Sequence, residues 1–317
     1  MASEGYRVLV AGAGAIGAMV AWQVFRKDPS AVSVLARGER LERYRRDGFV
    51  VNGEHCRFPV TDAASTSEPD LVIVACKWHH LGEVIEDLRG HVGPRTRILS
   101  LLNGISSEDE LARAFGAERV PYAMIVGTDA GHRGNEITWS GRGTIYLGGG
   151  PGIDGGLPAR GAERACVADV CRVLDHYGIA NTVPDDMLNR LWYKFMMNVG
   201  LNQVTAVLRL PYAPVQTPTL VPELRELMAS AMREVISVGE REGVSLGERD
   251  IESVWKVLDG LSPEGKTSMC QDVEAGRKTE VEMFALKVIE LGERHGVDVP
   301  VNACLYRMIR TIEKTAL

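Results

Sequence analysis

Lys194, Asn198 and Asn202 stand four residues apart in the apolar stretch WYKFMMNVGLNQVTAV at 192–207. Four residues advance an α-helix by about 400°, so the three side chains form one slowly drifting polar stripe. Burying an amine or a carboxamide without a partner is costly. Either other protein groups satisfy the stripe or a ligand does. Carboxamides both donate and accept hydrogen bonds, and an ammonium can steady a developing negative charge and then release a proton.

A second constellation lies at the start of the chain, where GAGAIG occupies 12–17 between an expected strand and an expected helix. In that setting Gly12 permits a tight turn, Gly14 lets backbone approach a pyrophosphate, and Gly17 allows close helix–strand packing. The free N–H groups and dipole of the helix start favour the phosphates. The alternative is a glycine-rich turn that binds no dinucleotide. About 20 residues further on, where an acidic side chain would accept from the ribose 2′-hydroxyl of NAD, the second strand ends in Arg37. A guanidinium suits a 2′-phosphate by charge and by its forked donors, which favours NADP. Arg40, Arg43, Arg45 and Arg46, interspersed with Glu39 and Glu42, read better as a solvated helix face.

The elements that must position these residues follow from the pattern of apolar runs. Strands are expected at 7–12, 31–37, 71–77, 97–102 and 120–126, with helices at 16–27, 39–46, 80–89 and 107–115. Such alternation implies a Rossmann-type, doubly wound parallel sheet. Residues 137–150 read as a hairpin with Gly141 and Gly143 at its turn, 150–162 as a loop, 163–177 as a helix and 179–183 as a short strand. After Pro184 only helical patterns remain, over 185–208, 219–243, 247–259, 263–295 (interrupted) and 302–314. The expected organisation is an α/β dinucleotide-binding domain at 1–183 and an all-helical catalytic domain at 184–317.

Composition narrows the class. With 317 residues, 45% hydrophobic, 25% charged and a formal net charge of −6, the chain is globular and a poor match for nucleic acid or a membrane surface. The uncharged run at 8–25 is long enough to mimic a membrane span, yet its glycines divide it into strand, turn and helix. Six cysteines without a C-x-x-C pair fit reduced thiols and a cytoplasmic protein. The adjacent His79 and His80 have no clustered partners in sequence, so no metal site is expected.

Near the C-terminus, SMCQDVEAGRKTEVE at 268–282 spaces Ser268, Asp272 and Glu280 by multiples of four. An unbroken helix would rotate Glu280 by about 120° from Ser268, so Gly276 is expected to mark a bend. On periodicity alone Glu280 reads as a carboxylate at a helix start, favoured by the dipole. GAGAIG, Arg37, Lys77 at a strand end, LLNGI at 101–105, K-x3-N-x3-N at 194–202 and SMCQD…TE at 268–280 together resemble the ketopantoate reductase family, across essentially the whole chain.

That resemblance implies NADPH-dependent reduction of a 2-oxo acid to a 2-hydroxy acid, most directly ketopantoate to pantoate in pantothenate and coenzyme A biosynthesis. Gly12, Ala15, Ile16, Gly14 and Gly17 would cradle the pyrophosphate and Arg37 would meet the 2′-phosphate. Lys77 and Asn103 match positions near the nicotinamide and the substrate. Lys194 matches the catalytic lysine and Glu280 the acidic residue that completes the site. Asn198, Asn202 and Ser268 match substrate-binding positions, and Asp272 reads as structural. Catalysis would then depend on closure of a cleft between the domains, and the helical domain could pair with a second copy. The stretch KWHHL, the serine after Ile105 and Gln203 beside Asn202 depart from common versions of the pattern and put the substrate in question. A paralogue reducing another 2-oxo acid or ketone is the nearest alternative, and a non-catalytic NADP(H) sensor is the alternative of another class.

Overall fold

A computed structural model describes residues 5–149 and 160–316. The chain divides into two compact units, the first ending at Leu188 and the second beginning at Asn189. In the first unit the strands are β1 (Val8–Ala11), β2 (Val32–Leu35), β3 (Phe49–Val51), β4 (Glu54–Cys56), β5 (Val60–Thr61), β6 (Leu71–Val74), β7 (Arg97–Ser100), β8 (Tyr122–Arg133), β9 (Glu136–Gly148) and β10 (Asn181–Thr182). Its helices are α1 (Ala15–Lys27), α2 (Gly38–Asp47), α3 (Leu81–Leu88), α4 (Ser107–Phe115) and α5 (Arg160–His176).

The main sheet runs β5-β2-β1-β6-β7, every pairing parallel. VLVA and LVIV, the central strands, are buried at every position, as a sheet covered on both faces requires. Val10 pairs with Val34 on one side and with Ile73 on the other, so the chain leaves β1 for opposite neighbours. That reversal makes the C-terminal edge beside β1 the topological switch point, where ligands of open α/β sheets bind.

The fifth expected strand belongs elsewhere. β8 pairs antiparallel with β9 in a second sheet, ordered β10-β9-β3-β4. The expected hairpin at 137–150 is in fact the return strand of a longer one, whose turn lies at Gly134 and Asn135. Gly134 has φ +62°, and Gly141 and Gly143 lie within β9. Val126–Arg133 carries no apolar alternation and is largely exposed, so it gave no strand signal. The loop expected at 150–162 falls outside the described residues as far as 159, and the chain is helical from Arg160.

The second unit holds α6 (Met187–Leu208, its first two residues in the first unit), α7 (Ala213–Gln216), α8 (Pro222–Arg241), α9 (Glu248–Asp259), α10 (Ser268–Glu274), α11 (Lys287–His295) and α12 (Pro300–Ala316). A π-helical turn, Glu282–Leu286, leads into α11. Gly276, at φ +63°, ends α10 as its position suggested. Phe195, Met196, Met232, Val235, Phe284 and Ile309 are fully buried in the core. Within this core Glu234 accepts from the N–H groups of Val301 and Asn302 at 2.7 and 2.9 Å, a carboxylate set on the positive end of α12. No helix among the described residues is long and apolar enough to cross a membrane.

Candidate active site

The three glycines of the first turn do different work. Gly12 has φ +102°, and a β-carbon there would lie 2.7 Å from the backbone of Ala75 and Cys76. At Gly17 a β-carbon would sit 1.9 Å from the Gly12 carbonyl oxygen. Both positions are closed by packing. Gly14 is different: a β-carbon there would meet only the His132 ring, at 3.9 Å, so open space lies above it. Gly14 is also the N-cap of α1, with no side chain capping the helix and no acidic residue in its first turn. Uncapped N–H groups beneath open space fit the pyrophosphate of a dinucleotide.

The other candidates of this unit emerge at the same edge of the sheet. Arg37 follows β2, Lys77 follows β6 and Asn103 follows β7, on strands that flank β1 in that spatial order. Lys77 is half-buried and caps a 3₁₀ turn, Trp78–His80. Within that turn the His79 and His80 rings lie 4.3 Å apart between centroids. Asn103 is half-buried just before Gly104, whose φ is +84°. The adjoining Leu102 N–H donates to Ser100 Oγ at 3.3 Å, and Ser100 Oγ lies 2.8 Å from Ser107 Oγ on α4. Arg37 does not stand alone, because its Nη2 lies 2.7 Å from Asp87 Oδ1 and its Nη1 3.6 Å from Glu83 Oε2.

In the second unit Lys194 and Asn198 are half-buried and Asn202 is buried, along one helix, α6. Residues beside them are apolar and buried, including Leu191, Trp192, Phe195, Met196 and Val199. Two contacts fix the segments that carry Ser268 and Glu280 against this helix. Thr205 Oγ1 lies 2.7 Å from Thr267 Oγ1, and Thr267 caps α10 by accepting from the Cys270 N–H at 3.2 Å. Ser268, exposed, is the next residue. At the other end the Phe195 ring lies 6.4 Å from that of Phe284, in the π turn that follows Glu280. Glu280 is buried. Its neighbour Thr279 donates from both its N–H and its hydroxyl to Glu313 Oε1 of α12, at 2.8 and 2.7 Å. Asp272 is buried and pairs with Arg277 at 2.8 Å, which anchors the loop after α10.

Gln203, an odd neighbour for Asn202 by sequence, has a structural explanation. Its Nε2 donates to the Val199 carbonyl at 2.8 Å and to Asn302 Oδ1 at 3.0 Å, while Asn302 Nδ2 donates to Glu234 Oε2 at 2.7 Å. This buried network joins α6, α8 and α12. Sequence reasoning also missed His132, laid beside Gly14 from the tip of the long hairpin, and Asp87, the partner of Arg37. The Gly-Asn pair at 134–135 was the available signal for that hairpin. Nothing local marks Asp87.

Two family models match the chain: ketopantoate reductase PanE/ApbA over residues 8–152 and ketopantoate reductase PanE/ApbA C terminal over 186–313. A 2-dehydropantoate 2-reductase from Halobacterium salinarum is 31% identical over 97% of this chain and 99% of its own. Among solved structures, a D-mandelate dehydrogenase with NADH and anilino(oxo)acetate superposes with a TM-score of 0.85 at 20% identity, covering 98% of this chain and 99% of that one. A dimeric ketopantoate reductase from Staphylococcus aureus superposes with a TM-score of 0.77 at 19% identity, covering 98% and 100%. The dinucleotide turn at a switch point, the helical unit with its lysine–asparagine stripe and these matches converge: the chain belongs to the ketopantoate reductase family of oxidoreductases.

Proposed function

We propose that the protein is a cytoplasmic NADPH-dependent reductase that converts a 2-oxo acid to its 2-hydroxy acid, with ketopantoate as substrate. The observation that carries this reading is Lys194, a cation held half-buried in the packed middle of α6 and in line with two carboxamides. An ammonium in line with two carboxamides on one helix is a donor set suited to the carboxylate and the ketone oxygen of a 2-oxo acid.

Bound NADPH supplies the hydride that adds to the ketone carbon. Negative charge then gathers on the ketone oxygen. The Lys194 ammonium donates a hydrogen bond to that oxygen throughout and finally transfers a proton to it, so hydride and proton add across the C=O bond. Asn198, Asn202 and Ser268 bind the carboxylate and orient the ketone. Glu280 accepts from a substrate hydroxyl. Gly12, Gly14, Ala15, Ile16 and Gly17 hold the pyrophosphate, Arg37 the 2′-phosphate, and Lys77 and Asn103 the nicotinamide end. Free thiols at all six cysteines suit a reducing compartment. Exposed apolar side chains at Leu220, Val221 and Leu227 of the α8 region, with Val257 and Leu261 near the end of α9, offer a surface for a homodimer through the helical unit.

The test follows NADPH consumption with ketopantoate beside a panel of other 2-oxo acids and ketones. Ketopantoate should be preferred, and Lys194→Ala should lower turnover about 10²–10⁴-fold while NADPH still binds. Near-normal turnover in that variant would remove Lys194 from the mechanism. Preference for an aromatic 2-oxo acid would move the protein to a paralogous activity, and tight NADPH binding without turnover on any compound would favour a sensor.

A further inference from the structure

Arg37 meets two carboxylates of α3 before it meets any cofactor. Its Nη2 lies 2.7 Å from Asp87 Oδ1 and its Nη1 3.6 Å from Glu83 Oε2. Asp87 is buried, with 9% of its side chain exposed, whereas Glu83 keeps 60% and Arg37 54%. Around the start of α2, Arg40 lies 3.4 Å from His80 Nε2, and a β-carbon at Gly38 would meet nothing within 4 Å. The edge of the sheet beside Arg37 is therefore open, and its guanidinium already serves two anions.

We propose that Asp87 and Glu83 set the dinucleotide preference, holding Arg37 in place while restraining its pull on a 2′-phosphate, so that the protein accepts NADH alongside NADPH. The inference rests on Arg37 being the 2′-phosphate contact. A 2′-phosphate brings close to two negative charges to a guanidinium that one buried and one exposed carboxylate already engage. Repulsion between anions sharing one cation offsets much of the gain over a neutral 2′-hydroxyl. The buried Asp87 weighs more than the exposed Glu83, whose charge water and salt screen. A carboxylate near the ribose is also the residue type that favours a 2′-hydroxyl over a phosphate.

Asp87→Asn separates charge from geometry, because the amide oxygen can still accept from Arg37. The readout is the ratio of Kd for NADH to Kd for NADPH, from titrations followed by nucleotide fluorescence without substrate. Asp87→Asn should raise that ratio about fivefold and Glu83→Gln about twofold, the latter on an exposed side chain that folding tolerates. Arg37→Ala should bring the ratio towards one. A ratio left unchanged by Arg37→Ala would show that the 2′-phosphate lies elsewhere and would remove the premise. A ratio that falls with Arg37→Ala yet stays level or drops in Glu83→Gln and in folded Asp87→Asn would overturn the role of the carboxylates and leave Arg37 in place.

Discussion

Among the described residues Glu108 is the most confined carboxyl of the first unit and offers a sharp test of how that unit packs. It lies in the first turn of α4 with 3% of its surface exposed. Ser107 Oγ donates to its Oε2 at 2.9 Å and the Ala123 N–H of β8 to its Oε1 at 3.4 Å. Burial outweighs these hydrogen bonds and pushes its pKa from the ordinary value of 4.5 up to about 7. The sign of the pH effect follows. Between pH 4.5 and about 7 the unfolded chain has released the proton that the native state retains, so the unfolded state binds fewer protons and stability falls as pH rises. Above about pH 7 both states are ionised and the loss is complete. A displacement of that size corresponds to about 3 kcal/mol.

Glu108→Gln removes the titration while keeping one acceptor for Ser107 or Ala123. At pH 4.5 and below the variant should be less stable by about 1 kcal/mol, the worth of the hydrogen bond it cannot reproduce. As pH rises to 7.5 its stability relative to the unsubstituted protein should improve by about 3 kcal/mol, so the order reverses. Urea unfolding at fixed pH values between 4.5 and 8 measures this, and the difference between the two proteins cancels every other titrating group. A difference that stays constant across the range would refute the argument, since Glu108 would then titrate alike in both states.

The glycine turn predicts a contrast between neighbours. Gly17→Ala must displace the Gly12 carbonyl, 1.9 Å from the new β-carbon, and should lower Tm by several degrees and abolish dinucleotide binding. Gly14→Ala, whose β-carbon meets only the His132 ring at 3.9 Å, should leave Tm within a degree or two and weaken NADPH at least about tenfold by occupying the pyrophosphate space. Equal effects of the two on Tm and on binding would contradict that division. For the proposed dimer, Leu220→Asp combined with Leu227→Asp should shift the mass seen by light scattering to that of one chain. An unchanged mass would place the interface elsewhere or show that the protein is already a monomer.

The parallel sheet was legible because VLVA, VSVL, LVIV and RILS are short apolar runs separated by amphipathic stretches, a pattern that only burial on both faces maintains. The second sheet was not. β3 and β4 are three residues long, too short for any periodicity to register, and β8 runs into an exposed half, GTDAGHR, that has no apolar alternation. What holds that half is the backbone ladder to β9, joined by Ser140 Oγ donating to Asp129 Oδ2 at 2.5 Å, and neither leaves an apolar pattern in the sequence. The Gly141 and Gly143 signal misled because glycine within a strand marks a bulge or a close backbone approach as well as a turn. A register shift does occur opposite Gly141, between Asp129 and Ala130.

Residue types announce chemistry, while the field in which that chemistry operates is assembled from distant parts of the chain. Lys194, Asn198 and Asn202 could be read from spacing because one helix carries all three. What ties α6 to α8 and α12 is the Gln203–Asn302–Glu234 network, whose bonded pairs lie 99 and 68 residues apart in the chain and whose members look individually misplaced in a core. Arg37 makes the same point for charge. Its own strand end presents a guanidinium ahead of further arginines, and from that alone a preference for a 2′-phosphate follows. Folding brings Asp87 to it from 50 residues away, and a cation already held by a buried carboxylate discriminates less sharply between a phosphate and a hydroxyl. On the proposed reading, selectivity would therefore belong to the pair, and substitution of Asp87 without touching Arg37 is the way to move it.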